Sequence, residues 1–522
     1  MATATTPAQP TTILRLDTQA PHYKWIVAGI VLLAGGTQTF GGTSVNIVIP
    51  RLMAAFGTDL ATAQWVVSGF FLTRILVMPL LGWLGGLLGY RNMFAAIMAG
   101  YVVTSIACGL ATNLAVLISL RCLQGLIMGT MEGLTAVILV GVFPEQQRGL
   151  ALGLRAVGWS AGQIVFYVLG GYLIEQVSWR MIFFIGLPPG ILATILGLLV
   201  LPQKREYRGE PVDYLGLIML AGFLVPLLLG ISWSRDTQTE TTTLIWLGLG
   251  TLAGGGLFVL RELLTPFPVV NLRLFRLPSF RLICVTSFFN NMGLFSALFM
   301  VPIFLQQVLG LSPLQAGLVI VPALIVSGIS GVVTGRLTDL LSPPLVIITM
   351  MLAGSVIFYA FSSVTALTAV GVVVVYVMLY RICIMGTHTP ITVVTVQMLE
   401  ADQVRMGQGL LGVVRSIGGI LGVTITSVLF EQRRATYQLA SYHTYDSASL
   451  AHGDALRELK YFMHQAGITG PVADSAALSV IRRQIDLEAI AAGFQTGFLY
   501  ACVCFLIGCV PMFYLFLRRR SN

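Results

Sequence analysis

One apolar run, residues 114–143, carries two ionisable side chains and an amide: Arg121, Glu132 and Gln124. Glu132 is the carboxylate placed deepest in any such run; the others fall in loops, in tails or at the ends of runs. An ionisable side chain near the middle of a bilayer costs about 2.5–3.5 kcal/mol or more, so it is kept where it faces a wet cavity or a partner. Arg121 and Glu132 are eleven positions apart, close to three helical turns, which puts both on nearly the same face of a helix. Burial favours the neutral form of a carboxylate and a nearby arginine its charged form, so proton and substrate can compete at such a group. Arg155, seven positions into the next run, and Arg74, near the middle of the second, are the candidate partners of Glu132. The alternative is a static buried Glu–Arg pair that holds helices together.

Two further groups lie near mid-depth in the second half of the chain. Arg381 is one; His388 follows seven positions later on the same face and is able to titrate near neutral pH, or to support a local helix irregularity with Pro390. Several arginines against one acid would give a net positive field, which suits anionic or zwitterionic amphiphiles better than cations. Arg415 is a further intramembrane charge to which the sequence assigns no role.

The elements that must position these groups are membrane spans. Of 522 residues, 56% are hydrophobic and only 10% charged, with mean hydropathy +0.87, the composition of an all-α polytopic membrane protein. Apolar runs long enough to cross occur near 25–49, 63–88, 93–111, 114–143, 149–173, 181–201, 214–233, 243–260, 282–306, 314–335, 345–363, 366–396, 409–430 and 491–517, fourteen in all. Sixteen Lys and Arg fall in loops and tails on the side of the termini, among them Arg15, Arg91, Arg148, Lys204, Arg336 and Arg518, against Arg51, Arg180 and Arg235 in the short loops opposite. The positive-inside rule therefore places both termini in the cytoplasm and accounts for the net charge of +9 without nucleic acid. The seven cysteines all sit in apolar runs, with no disulfide framework or metal-ligand spacing, and read as packing residues. No cofactor is implied.

The chain also repeats itself. Gly82-Trp-Leu-Gly-Gly-Leu-Leu-Gly-Tyr-Arg91 has a counterpart in Gly335-Arg-Leu-Thr-Asp-Leu-Leu-Ser-Pro-Pro344, and Pro144-Glu-Gln-Gln-Arg-Gly149 in Leu399-Glu-Ala-Asp-Gln-Val-Arg405. The offsets, 335 − 82 = 253 and 405 − 148 = 257, are nearly equal. Two six-helix bundles of like orientation follow, at 25–201 and 282–517, joined by a linker at 202–281 that carries two extra spans. Residues 1–24 form a soluble tail, 518–522 a basic one. Residues 431–490 form a long external loop in which 454–465 and 475–490 have helical apolar spacing, either a folded cap or a docking surface for a partner outside the membrane.

With these runs in hand, the chain resembles the fourteen-span EmrB/QacA drug-exporter branch of the major facilitator superfamily over essentially its whole length. The likeness is carried by Thr43-Ser-Val-Asn-Ile-Val-Ile-Pro50, Gln64-Trp-Val-Val67, Gly82-Trp-Leu84 with Gly89, Arg121-Cys-Leu-Gln-Gly125, Ser178-Trp-Arg180 with Phe183, Leu305-Gln-Gln-Val-Leu-Gly310 and Ser312-Pro-Leu-Gln-Ala-Gly317. The resemblance implies proton-coupled export of lipophilic compounds from the cell membrane, with an adaptor protein in the periplasm as a further partner. In the family, Arg121 and Gln124 would relay protons or contact substrate; the alternative is a hydrogen-bonded anchor to a neighbouring helix. Gly82 opens the first gate loop with Gly89 and Arg91; Arg336 and Asp339 form the second. Four departures weigh against ordinary coupling: Gly41 where the family has an aspartate, Gly162-Gln163 in place of a Gly-Pro motif, Gly86 in place of the gate-loop aspartate, and Gln495 or Thr496 where an acid is common. If a proton is coupled, Glu132 is the carboxylate left to carry it. Otherwise the chain is a weakly coupled exporter of a lipid or anionic metabolite, or a membrane scaffold or sensor that does not transport. An enzyme is not indicated, since no paired base accompanies any Cys or Ser at either interface.

Overall fold

A computed structural model describes residues 20–41, 49–58, 60–203, 213–233, 240–266, 268, 270, 272–365, 367–400, 403–446, 461, 465 and 471–521. The tail before residue 20, residues 43–48 of the first motif, and most of 447–470 lie outside the described residues. With no water to satisfy backbone groups inside a bilayer, apolar runs of this length become helices. The first half holds α1 (Tyr23–Gly41), α2 (Ile49–Phe56), α3 (Leu60–Val77), α4 (Leu81–Leu88), α5 (Tyr90–Gly109), α6 (Leu114–Met128), α7 (Met131–Val142), α8 (Arg148–Val165), α9 (Gly171–Gln176), α10 (Met181–Phe184) and α11 (Leu187–Val200). The linker supplies α12 (Tyr214–Trp233) and α13 (Thr241–Leu264). The second half holds α14 (Pro278–Gln307), α15 (Pro313–Leu340), α16 (Pro343–Phe361), α17 (Val370–Met398), α18 (Gln403–Asp446) and α19 (Pro471–Ser521).

Among the described residues, twelve helices are long and apolar enough to cross a membrane, and Tyr214–Leu227 adds a shorter apolar one. α1, 19 residues long, packs Val27, Ile30, Val31 and Ala34 into the core of the first half beside Phe94, Met98 and Met131. The second half has its own core, in which Phe304, Phe361, Phe494 and Phe498 stack from α14, α16 and α19. All seven cysteines are free.

One expectation holds and one changes. The run 114–143 crosses as a single span, Leu114–Val142, in which a turn at Gly129 and Thr130, both with right-handed helical backbone angles, separates α6 from α7. A Cβ at Gly129 would stand 2.5 Å from the carbonyl of Arg74, so α6 and α3 touch backbone to backbone at that level. Glu431 does not begin a loop. α18 continues 44 residues to Asp446 and α19 spans 51, and the two are tied beyond the bundle by Tyr437 Oη to Glu488 (3.1 Å) and Gln438 Nε2 to Asp486 (2.8 Å).

The halves meet along two seams. α8 and α15 pack through glycines at four-residue spacing, Gly149 and Gly153 against Gly331 and Gly335, where any side chain would collide with the opposite backbone. The other seam sets Gly409 and Gly412 of α18 against Met78 and Pro79, in the short 3₁₀ turn between α3 and α4.

Candidate functional site

Glu132 is the second residue of α7, just past the turn. The close approach of α6 to α3, made by Gly125 and Gly129 and held by Thr73 Oγ1 donating to the Cys122 carbonyl (2.8 Å), brings Arg74 beside it. Arg74 Nη2 donates to Glu132 Oε2 at 3.2 Å. Arg155 of α8 reaches the same residue from the opposite side, its Nη1 donating to the main-chain carbonyl of Glu132 at 2.8 Å. The second half completes the ring. Arg415 Nη1 of α18 lies 3.7 Å and His388 Nε2 of α17 lies 3.9 Å from Glu132 Oε1. Arg415 is itself held by Ser287 Oγ (3.0 Å) and Thr392 Oγ1 (2.9 Å). One carboxylate is thus shared between the two halves, with three guanidinium groups and an imidazole around it. A small cleft of about 20 Å³ lies beside it, lined by Met78, Leu81, Glu132, Arg155, Gln408 and Arg415 among others.

Glu132 and His388 are also repeat mates. Their separation, 388 − 132 = 256, falls between the two motif offsets, so each half presents a titratable group at the same place and the two face each other.

Arg121 and Gln124 do not join this ring. Arg121 is fully buried; its Nε donates to the Val66 carbonyl (2.9 Å), its Nη1 to Gln124 Oε1 (2.6 Å), and Gln124 Nε2 passes on to Ser105 Oγ (2.8 Å). Its guanidinium also lies 4.4 Å from the Phe70 ring centre. All of these contacts stay within the first half. Arg121 and Glu132 share a span but not partners: Arg121 bonds only within the first half, whereas Glu132 also reaches His388 and Arg415 of the second. Arg381 sits apart as well, 1% exposed on α17, seven positions from His388. The sequence left Arg415 without a role; the signal available was the one used for Glu132, a charge inside an apolar run, here six positions into 409–430.

The gate loops divide unequally. Asp339, at the end of α15, accepts from the backbone N–H of Gly149 (2.8 Å) and of Leu150 (3.0 Å), capping the start of α8 across the seam. Arg336 lies one turn earlier on α15. In the first half Gly89 takes φ 74°, a left-handed conformation that favours glycine, and so turns the chain sharply from α4, which holds Gly82, into α5, which holds Arg91. Gly86, at the repeat position of Asp339, has no heavy atom within 4 Å of where a Cβ would stand.

Comparison with known proteins decides the family. The profile of the Major Facilitator Superfamily matches residues 31–423. The chain belongs to the Major Facilitator Superfamily. This facilitator is therefore a multi-pass membrane transporter and not an enzyme. It is 28% identical to a multidrug resistance protein B homolog of Mycobacterium tuberculosis over 418 residues, 79% of this chain and 76% of the relative. It is 26% identical to the fatty acid resistance protein FarB of Neisseria gonorrhoeae over 495 residues (94% and 95%) and 25% identical to the multidrug export protein EmrB of Escherichia coli over 410 residues (78% and 80%). In fold it is similar to the crystal structure of the human organic anion transporter MFSD10, with TM-score 0.62 over 95% of this chain and 100% of that one, at 14% identity.

Proposed function

We propose that this facilitator is a secondary active exporter of amphiphilic small molecules, driven by protons through alternating access, with Glu132 as the proton-carrying carboxylate. The observation that carries the reading is the sharing of Glu132 between Arg74 and Arg155 of one half and Arg415 and His388 of the other. When the halves part, Glu132 keeps its own bundle's arginines and loses those opposite. Protonation would then be favoured in one state and the charged form in the other, and His388 can take or return the proton at contact distance. Similarity to multidrug and fatty acid exporters supports the substrate class. In this reading α1 and α12 complete fourteen spans, both termini are cytoplasmic, and the membrane is the bacterial cell membrane. The paired extensions of α18 and α19 are the surface an adaptor outside the membrane would meet.

In the test, Glu132→Gln expresses in the membrane of a pump-deleted host but no longer exports toxic amphiphiles in response to a pH gradient. Wild-type accumulation against a gradient by that variant would overturn the coupling assignment. A second reading, a weakly coupled exporter of anions, is favoured by the excess of three arginines over one acid in the ring. Counterflow in proteoliposomes with and without a proton gradient separates the two. The scaffold reading is discounted if deletion of the α18–α19 extension leaves transport intact.

A further inference from the structure

The Glu132 ring uses its arginines: Arg74 and Arg155 bond to Glu132, and Arg415 to Ser287 and Thr392. Arg381 differs. It is 1% exposed, yet its Nε and Nη1 have no hydrogen-bond partner in the protein. Buried guanidinium groups are normally hydrogen-bonded, and an unmet charged donor is costly, so such a group needs its own explanation. It is not alone. The hydroxyls of Ser160 and Ser327, Oε1 of Gln163 and both polar atoms of the Asn290 amide are buried without partners as well. These residues come from α8, α15, α14 and α17. Ser160 of α8 stands against Gly328 of α15, and α8 also packs against α17, so the first half faces the second here.

We infer that Arg381 is the subsite for the anionic head group of the exported amphiphile, a carboxylate carried on an aliphatic tail. The inference rests on the exporter reading above and adds the charge and the place of the substrate. The unmet Nε and Nη1 of a buried, charged guanidinium are donors left to give to such an anion. Because α8 belongs to one half and α17 to the other, separation of the halves uncovers Arg381, so the subsite is offered in one state and closed in the next. Arg381 precedes His388 by seven residues, about 10.5 Å along the helix, close enough for head-group binding to bias the proton site without displacing it.

The test measures uptake of radiolabelled dodecanoate and of dodecyltrimethylammonium, which share a tail and carry opposite charge, by proteoliposomes holding the full chain. The wild type is expected to move dodecanoate, and Arg381→Gln to raise its KM about tenfold or more while the maximal rate falls far less and the response to pH persists. Arg381→Lys, which keeps the charge but loses the guanidinium donors, should recover part of the KM and stands in for the first variant if that one does not reach the membrane. An unchanged KM, or equal loss of rate and pH response, overturns the subsite. Wild-type transport of the cation alone overturns the head-group assignment and leaves the exporter reading standing; transport of neither probe overturns the exporter reading itself.

Discussion

The two seams between the halves occupy repeat-related places and are built on different principles. Along α8 and α15, Gly149, Gly153, Gly331 and Gly335 bring backbones into contact, and Asp339 caps α8 from the other side. Along the second seam Met78 and Pro79 meet Gly409 and Gly412, Ser416 reaches Met78 Sδ, and Gly86 stands where the repeat would put the counterpart of Asp339. The first seam is closed by backbone contact and latched by Asp339. The second is where the cleft beside Glu132 opens. On the proton-coupled reading the first seam would serve as a pivot and the second as the edge that admits protons.

The comparison is broken most severely at the glycine seam. Gly335→Val places a branched side chain against the backbone of Gly149 and is expected to cost about 1–3 kcal/mol by overpacking, lowering the thermal midpoint and abolishing transport. A midpoint and rate equal to wild type would show that the backbones need not touch.

Next comes the latch. Asp339→Asn keeps the shape but gives up charge-assisted acceptance from Gly149 and Leu150, so the closed seam should lose roughly tenfold in population. Gly86→Asp works in the opposite sense, since open space awaits the side chain, and a closing bias of a few fold is expected. Crosslinking rates of cysteine pairs set across each seam read both shifts; no change in either variant would dismiss the latch.

How much of this was legible in the sequence depended on whether a property is local. The depth of Glu132 and the long apolar runs are local, and the repeat offsets follow from counting. The close approach at Gly129 was not legible, because it is made by the carbonyl of Arg74 on another helix. The partners of Arg121 were not legible either, since Val66 and, through Gln124, Ser105 lie on other helices. Arg415 could be seen as a buried charge, but its place beside Glu132 requires the two halves to be docked.

The smallest effect lies in the linker. Burial alone would raise the carboxyl of Asp213, but Arg261, donating at 3.0 Å, and the N–H groups of Gly216 and Leu215 hold it below its usual value of 3.8. A folded value below the unfolded one means that the contribution to stability is present above the unfolded value and lost as pH falls through the folded one. Asp213→Asn should therefore loosen the α12–α13 hairpin slightly at pH 7, and the difference from wild type should shrink below about pH 4 in hydrogen-exchange measurements.

The central claim, that Glu132 carries the proton between halves, is tested most directly by following proton flux with a pH-sensitive dye inside proteoliposomes when substrate is added. The wild type should move protons opposite to substrate, and Glu132→Gln should move none while still binding substrate. Substrate-driven proton flux of wild-type size in Glu132→Gln would contradict the account and send the search for the proton carrier elsewhere in the bundle.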